Sequence, residues 1–142
     1  MIKNKELLLD QAKGELEKSL VYLDYSFQKT KTLNLTLSTL EDNLLLETLE
    51  ALVARFSRTT DIFLSRYIRT YVLIQEPGFR GTTLDFLNQA EKLNLISSVA
   101  TWAEIKELRN SAAHEYLAEN LLISFKKIIA FTPLLLSLKA LL

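Results

Sequence analysis

Apolar residues recur every three to four positions along nearly the whole chain, the spacing of one face of an α-helix. Over residues 5–33 that stripe is Leu9, Ala12, Leu16, Leu20, Leu23 and Phe27, with Gly14 inside the helix but off the stripe. A connection follows at residues 36–39. Thr39 is placed to cap a second helix, with Glu41 and Asp42 in the first turn, where acidic groups favour the helix dipole. This second helix is expected to reach residue 74. Its main stripe is Leu45, Leu49, Leu52, Phe56, Phe63 and Tyr67, and Leu46, Val53 and Ile62 mark another. A helix apolar on two sides belongs at the centre of a bundle or against a second subunit.

Residues 75–83 contain Pro77, Gly78 and Gly81 and break the pattern. They lack the Gly-Lys-Ser/Thr of a phosphate loop and no strand precedes them, so they read as a helix connection. Thr83 is expected to cap a short helix over 84–93 with Phe86, Leu87, Ala90 and Leu93 inward. A second break covers 94–98. Thr101 and Glu104 have the spacing of a capping box, opening a helix whose buried stripe is Trp102, Ile105, Leu108 and Ala112 and which carries on to Tyr116. The chain then bends into a last helix over 118–139, with Leu121, Leu122, Phe125, Ile128, Ile129 and Leu135 inward and Pro133 placed to kink it. The expected architecture is all-α: one domain over 1–142, an up-and-down bundle of about five helices.

Composition supports helix over sheet. With 49% hydrophobic residues but only three Gly and two Pro, the chain lacks the turn formers that many short strands would need. There is no cysteine, which excludes disulfides, thiolate metal sites and a cysteine nucleophile. The first residues turn charged too early for a signal peptide. The apolar stretch 121–142 carries Lys126, Lys127, Lys139 and Pro133, and so reads as a buried helix rather than a membrane span. These features make the cytoplasm the expected compartment, with no membrane partner. The 17 basic and 17 acidic residues cancel, so any attraction for nucleic acid has to come from a local patch.

The candidate chemistry lies in Leu108-Arg109-Asn110-Ser111-Ala112-Ala113-His114-Glu115-Tyr116, which holds the only histidine. At about 100° per residue, Arg109 and Tyr116 point nearly the same way on a helix, whereas Arg109 and His114 diverge by roughly 140°. Both reach one atom only if the helix distorts near His114 or if two copies of the motif meet across a dimer. Ala112 and Ala113 are small enough for another backbone to approach closely. Arginine is a permanently charged forked donor suited to phosphate, and histidine moves protons near neutral pH. The pair can cut RNA without metal: a base takes the 2′-hydroxyl proton, the freed oxygen attacks phosphorus, and arginine stabilises the developing charge. Asn110 is suited to orienting His114 or binding a phosphate oxygen. Tyr116 offers a hydroxyl, or a ring for base stacking. The plainer reading is a surface pair or capped polar group on a structural helix.

Arg109-Asn110-x-x-x-His114-x-Tyr116, late in an all-helical domain of this size, resembles the HEPN superfamily, and most closely the HepT-type toxins encoded beside minimal nucleotidyltransferase (MNT) antitoxins. The specific match covers about fifteen residues around the motif. The resemblance implies a metal-independent ribonuclease toxin with no cofactor, acting as a homodimer whose two motifs line a cleft, with tRNA the expected target. Arg109 and His114 would be the catalytic pair and Asn110 a support. Tyr116 matches the tyrosine to which the MNT partner adds AMP, and attached AMP would bring negative phosphate and bulk into the path of RNA. The superfamily also contains non-catalytic relatives with a very similar segment. A helical module that binds a nucleotidyltransferase or nucleotide is therefore the alternative. A third reading is a helical dimer without phosphate chemistry.

Arg55, Arg58, Arg66 and Arg69 lie on the second helix; 55 and 66, and 58 and 69, are eleven apart, about three turns. They are expected to share a broad face able to track a phosphate backbone, extended by Arg80 in the loop. The competing reading is a solvated face paired to Asp and Glu. Other enzyme classes fit poorly. One histidine does not make a zinc hydrolase, no nucleophile elbow is present for a serine triad, and the last helix is too apolar all round for a surface membrane anchor.

Overall fold

In the computed structural model, which describes residues 2–142, helix α1 (Ile2–Thr30) packs antiparallel along α2 (Asn43–Asp61). Three contacts fix that register: Ser26 meets Arg55, a buried Ser19–Thr59 hydroxyl pair closes at 2.6 Å, and Glu15 meets Arg66. The helical path of α2 continues through a π-helical segment, Ile62–Ile68, into α3 (Arg69–Gln75). After the Pro-Gly loop come α4 (Thr83–Lys92), α5 (Val99–Ala112) and α6 (Ala118–Leu136), then a closing 3₁₀ turn, Ser137–Leu141. Counting the path from 43 to 75 as one rod, five helices make an all-α bundle, with no strand among the described residues.

The stripes read from the sequence face the core. Ala12, Leu16, Leu20 and Leu23 of α1 are buried, as are Leu49, Leu52 and Phe56 of α2 and Trp102, Ile105, Leu108 and Ala112 of α5. Leu9, Phe27, Leu45 and Leu93 are only partly buried. A second, smaller cluster joins Leu35, Leu49 and Phe125, with Leu121, Leu122 and Ile129 packed on it. Among the described residues, Ala118–Leu141 has the length and apolarity to cross a membrane, a property it shares with core helices of bundles. Phe125, Ile128 and Leu135 on this helix are buried against the rest of the protein. The helix also runs on through Pro133 to Leu136.

Helix ends differ from expectation for identifiable reasons. Helix α1 stops at Thr30, whose hydroxyl bonds back to the Ser26 carbonyl at 2.8 Å, rather than at residue 33. The chain then turns so that Leu35 reaches the second cluster. Thr39 caps nothing downstream: it sits in a 3₁₀ turn (Leu37–Glu41), its hydroxyl accepting from the Thr36 amide. Asp42 caps α2 instead, accepting from the Leu44 and Leu45 amides at 3.0 and 3.2 Å. Asp42→Ala should therefore lower stability by about 1 kcal/mol, read as a shift in the denaturant midpoint with unchanged slope.

Thr82, not Thr83, caps α4 through a reciprocal box with Asp85. The Thr82 amide and hydroxyl donate to that carboxylate and hold it below the usual carboxylate range. Gly81 allows the arrangement: at φ 157° it approaches Asp85 so closely that a Cβ would collide with the carboxylate. The end of α4 is a Schellman motif. Asn94 takes φ 58°, the Leu95 amide reaches the Ala90 carbonyl at 2.9 Å, and Leu95 packs on the core.

Candidate functional site

Helix α5 begins three residues earlier than the Thr101 box implied. Ser98 is the cap, accepting from the Thr101 amide at 3.2 Å. Trp102 and Ile105 bury one side of the helix, and Trp102 packs on Phe63 of the π segment with ring centroids 4.7 Å apart. That packing sets the rotation of α5 and carries Arg109 to its flank, facing the end of α2.

There Arg109 meets Asp61, the last residue of α2. Nε and Nη2 donate to the two carboxylate oxygens at 2.8 Å each, a fork-on-fork pair. The hydrogen bonds from Arg109 to Asp61 raise the guanidinium pKa further above its ordinary value, so Arg109 is charged at every working pH. The pair is 32% exposed on the arginine side and 49% on the aspartate side. It lines an open concavity of about 400 Å³ with Ala54, Ser57, Arg58, Ile62, Ser65 and Arg66. Three arginines, Arg58, Arg66 and Arg109, and one acid, Asp61, are thus among the residues lining this depression. A guanidinium has five N–H donors; the bonds to Asp61 use two, so three remain, with both Nη1 hydrogens among them.

His114 does not continue the helix. Helix α5 ends at Ala112, and the His114 amide closes a turn onto the Ser111 carbonyl at 3.1 Å. Beyond it the Glu115 carboxylate accepts from the Tyr116 and Leu117 amides, both at 3.1 Å, and so prepares the start of α6. The expectation of one helix from Arg109 to Tyr116 is thus corrected, and the motif bends before its histidine. His114 and Asn110 are exposed, and Tyr116 is 87% exposed. No hydrogen bond joins Arg109 to Asn110, His114 or Tyr116 within the chain.

The arginines of the long helical path do not share one free face. Arg55 turns to α1, donating to the Tyr22 carbonyl and the Ser26 hydroxyl at 3.1 and 2.9 Å. Arg66 forms an ion pair with Glu15 at 2.7 Å. Arg69 lies over the Phe86 ring of α4, 4.8 Å from its centroid. Arg58 is exposed in the concavity beside Arg109, and Arg80 is exposed in the loop. The cause is the partner each one meets: Arg55 and Arg66 both turn to α1 and Arg69 to α4, while the π segment, which contains Arg66, changes the rotation of the residues beyond it. In exchange Phe63, Leu64, Tyr67 and Ile68 are all buried.

Asp61 is the residue that sequence reasoning passed over. It lies 48 positions from Arg109 and carries no local motif. The one available signal was a lone acid at a mid-helix position close to arginines. Because both members are partly exposed, the pair contributes little to stability. Asp61→Asn is expected to cost less than about 1 kcal/mol, measured by chemical denaturation. No family model, curated protein or solved structure matches the chain.

Proposed function

We propose that this protein is a metal-independent endoribonuclease toxin of the HepT type, a HEPN-superfamily homodimer acting on RNA, with tRNA the expected class, and held in check by a nucleotidyltransferase antitoxin in the cytoplasm. The observation that carries this reading is the Arg109 fork. Asp61 holds Nε and Nη2 of the guanidinium, and the pair lines an open depression that Arg58 and Arg66 also line. That is a fixed cationic donor with room for a phosphate. In the reaction His114 removes the 2′-hydroxyl proton and O2′ bonds to phosphorus. The P–O5′ bond breaks, O5′ takes a proton as it leaves, and the products are a 2′,3′-cyclic phosphate and a 5′-hydroxyl. Arg109 stabilises the charge gathering on the phosphoryl oxygens. Asn110 supports, and pairing of two motifs across the dimer would supply the histidine that a single chain leaves apart from its arginine. Tyr116 is suited to receive AMP, since its hydroxyl stands on an exposed turn that a partner enzyme can reach.

A second reading rests on a specific observation: Arg109 is already ion-paired and His114 does not contact it. Under that reading the chain is a non-catalytic module that binds a nucleotidyltransferase or nucleotide. One experiment separates the two. Purified protein, verified by intact mass to carry no AMP, is incubated with total RNA in EDTA beside His114→Ala. Cleavage by wild type that falls by about 10²-fold or more in the variant is expected. A folded dimer that leaves RNA intact would overturn the nuclease in favour of the binding module.

A further inference from the structure

On α1, Lys18, Tyr22, Tyr25 and Lys29 follow each other at steps of four, three and four, so they line one exposed face. The tyrosines are 53% and 62% exposed, large values for rings on a helix already packed on a core. Arg55 of α2 reaches across to this face, its guanidinium carbon 5.7 Å from the Tyr22 ring centroid and 5.8 Å from that of Tyr25. Its Nη1 is tied to the Tyr22 carbonyl and the Ser26 hydroxyl. The Lys29 ammonium stands 5.4 Å from the Tyr25 centroid. Two rings and three cations therefore form one ordered patch.

Its charge is one-sided. Glu17 and Asp24, the acids nearest in sequence, sit more than about 100° round the helix from the stripe, beside the C-terminal residues Leu136 and Leu142. Glu15, one turn before Lys18, is taken up by Arg66. On α2 the patch's Arg55 is one residue from Ala54 and three from Arg58, both of which line the depression holding Arg109.

We propose that the Lys18–Tyr22–Tyr25–Lys29 face, with Arg55 set against both rings, is a stacking platform for the bases of single-stranded RNA, feeding the adjoining phosphate towards Arg58 and Arg109. It rests on the RNA-cleaving reading above. Aromatic rings offer every base a π face, while interleaved cations follow the backbone, and a patch of both with no free acid matches a polyanion carrying flat bases better than it matches a protein.

The test uses the whole wild-type protein and a short fluorescein-labelled 2′-O-methyl oligouridine, which cannot be cut because its O2′ is blocked, with anisotropy as readout. The double variant Tyr22→Leu/Tyr25→Leu keeps apolar bulk and loses the rings, and should raise Kd roughly tenfold or more. The double variant Tyr22→Phe/Tyr25→Phe should bind within about twofold of wild type, since stacking needs the ring and not the hydroxyl. An abasic oligomer of the same length should bind wild type as weakly as the oligouridine binds the leucine variant. Unchanged binding by the leucine variant overturns the platform while leaving the nuclease reading in place. Equal losses in the phenylalanine and leucine variants overturn stacking in favour of a hydroxyl contact. A change of mass in light scattering for the leucine variant overturns it in favour of a protein interface. No binding of the oligouridine by wild type overturns the platform, and the total-RNA assay then says whether the nuclease reading falls with it.

Discussion

Exchanging Arg109 for lysine is expected to slow the proposed RNA cleavage by roughly 10²- to 10³-fold, although the charge is kept. The reason is in the donor count. Arg109 spends Nε–H and one Nη2 hydrogen on Asp61 and still has three hydrogens for a phosphate. It is anchored and available at once. An ammonium is a point charge on a flexible stem. If it stays with Asp61 it is held back from the substrate, and if it leaves Asp61 it loses its position. Asp61→Asn should weaken cleavage less, because one acceptor oxygen remains while the carboxylate charge is lost. Single-turnover rates at saturating RNA, with anisotropy for affinity, separate a lost transition-state contact from lost binding. The expected pattern for Arg109→Lys is a fall in rate with affinity changed by less than about tenfold. A lysine variant that cuts at wild-type rate would remove Arg109 from the chemistry and leave its pair with Asp61 as a plain surface ion pair.

The helices were legible because their apolar residues obey one period. Leu16, Leu20 and Leu23, or Trp102, Ile105 and Leu108, have no other consistent place than a core-facing stripe. Caps were less legible because neighbouring polar residues compete for the same amides. Asp42 and Ser98 each won over a threonine three residues away, and Thr82 over the adjacent Thr83. Within the motif, Glu115 reads in sequence as one more helical acid. Only the turn shows that its carboxylate takes the amides of Tyr116 and Leu117, after α5 has ended at Ala112 and the His114 amide has closed onto Ser111.

Two further features depend on distant partners. The Asp61–Arg109 fork needs α2 and α5 side by side, and the Arg55 contact with Tyr22 and Tyr25 needs α1 and α2 in register. Spacing along one helix cannot predict either. The arginines of the long path answer to distant partners too: Arg55 and Arg66 both turn to α1 and Arg69 to α4, and the spacing arithmetic also assumed a uniform α-helix across residues 62–68, where the backbone is π-helical. Phe63, Leu64, Tyr67 and Ile68 would satisfy an α-helical stripe about as well, so composition gave no warning.

That π segment is also where the fold is most exposed to damage, and Phe63→Ala should destabilise it by about 3–5 kcal/mol. Phe63 is fully buried, with its ring 5.7 Å from Tyr67 and 4.7 Å from Trp102. It fills the space between the long helical path and α5, and truncation leaves a cavity that rigid helices on both sides cannot close. At roughly 2–4 °C per kcal/mol for chains near this size, the melting temperature should drop by about 10 °C. Near-UV circular dichroism should fall as well, because Trp102 loses its aromatic neighbour. The same contact sets the rotation of α5 that carries Arg109 to Asp61, so in the still-folded protein the Arg109 variants and Phe63→Ala should be less than additive in cleavage. A melting temperature within about 2 °C of wild type would mean that the helices collapse onto the vacated space, and the rigid link assigned here between the π segment and the Arg109 fork would then be wrong.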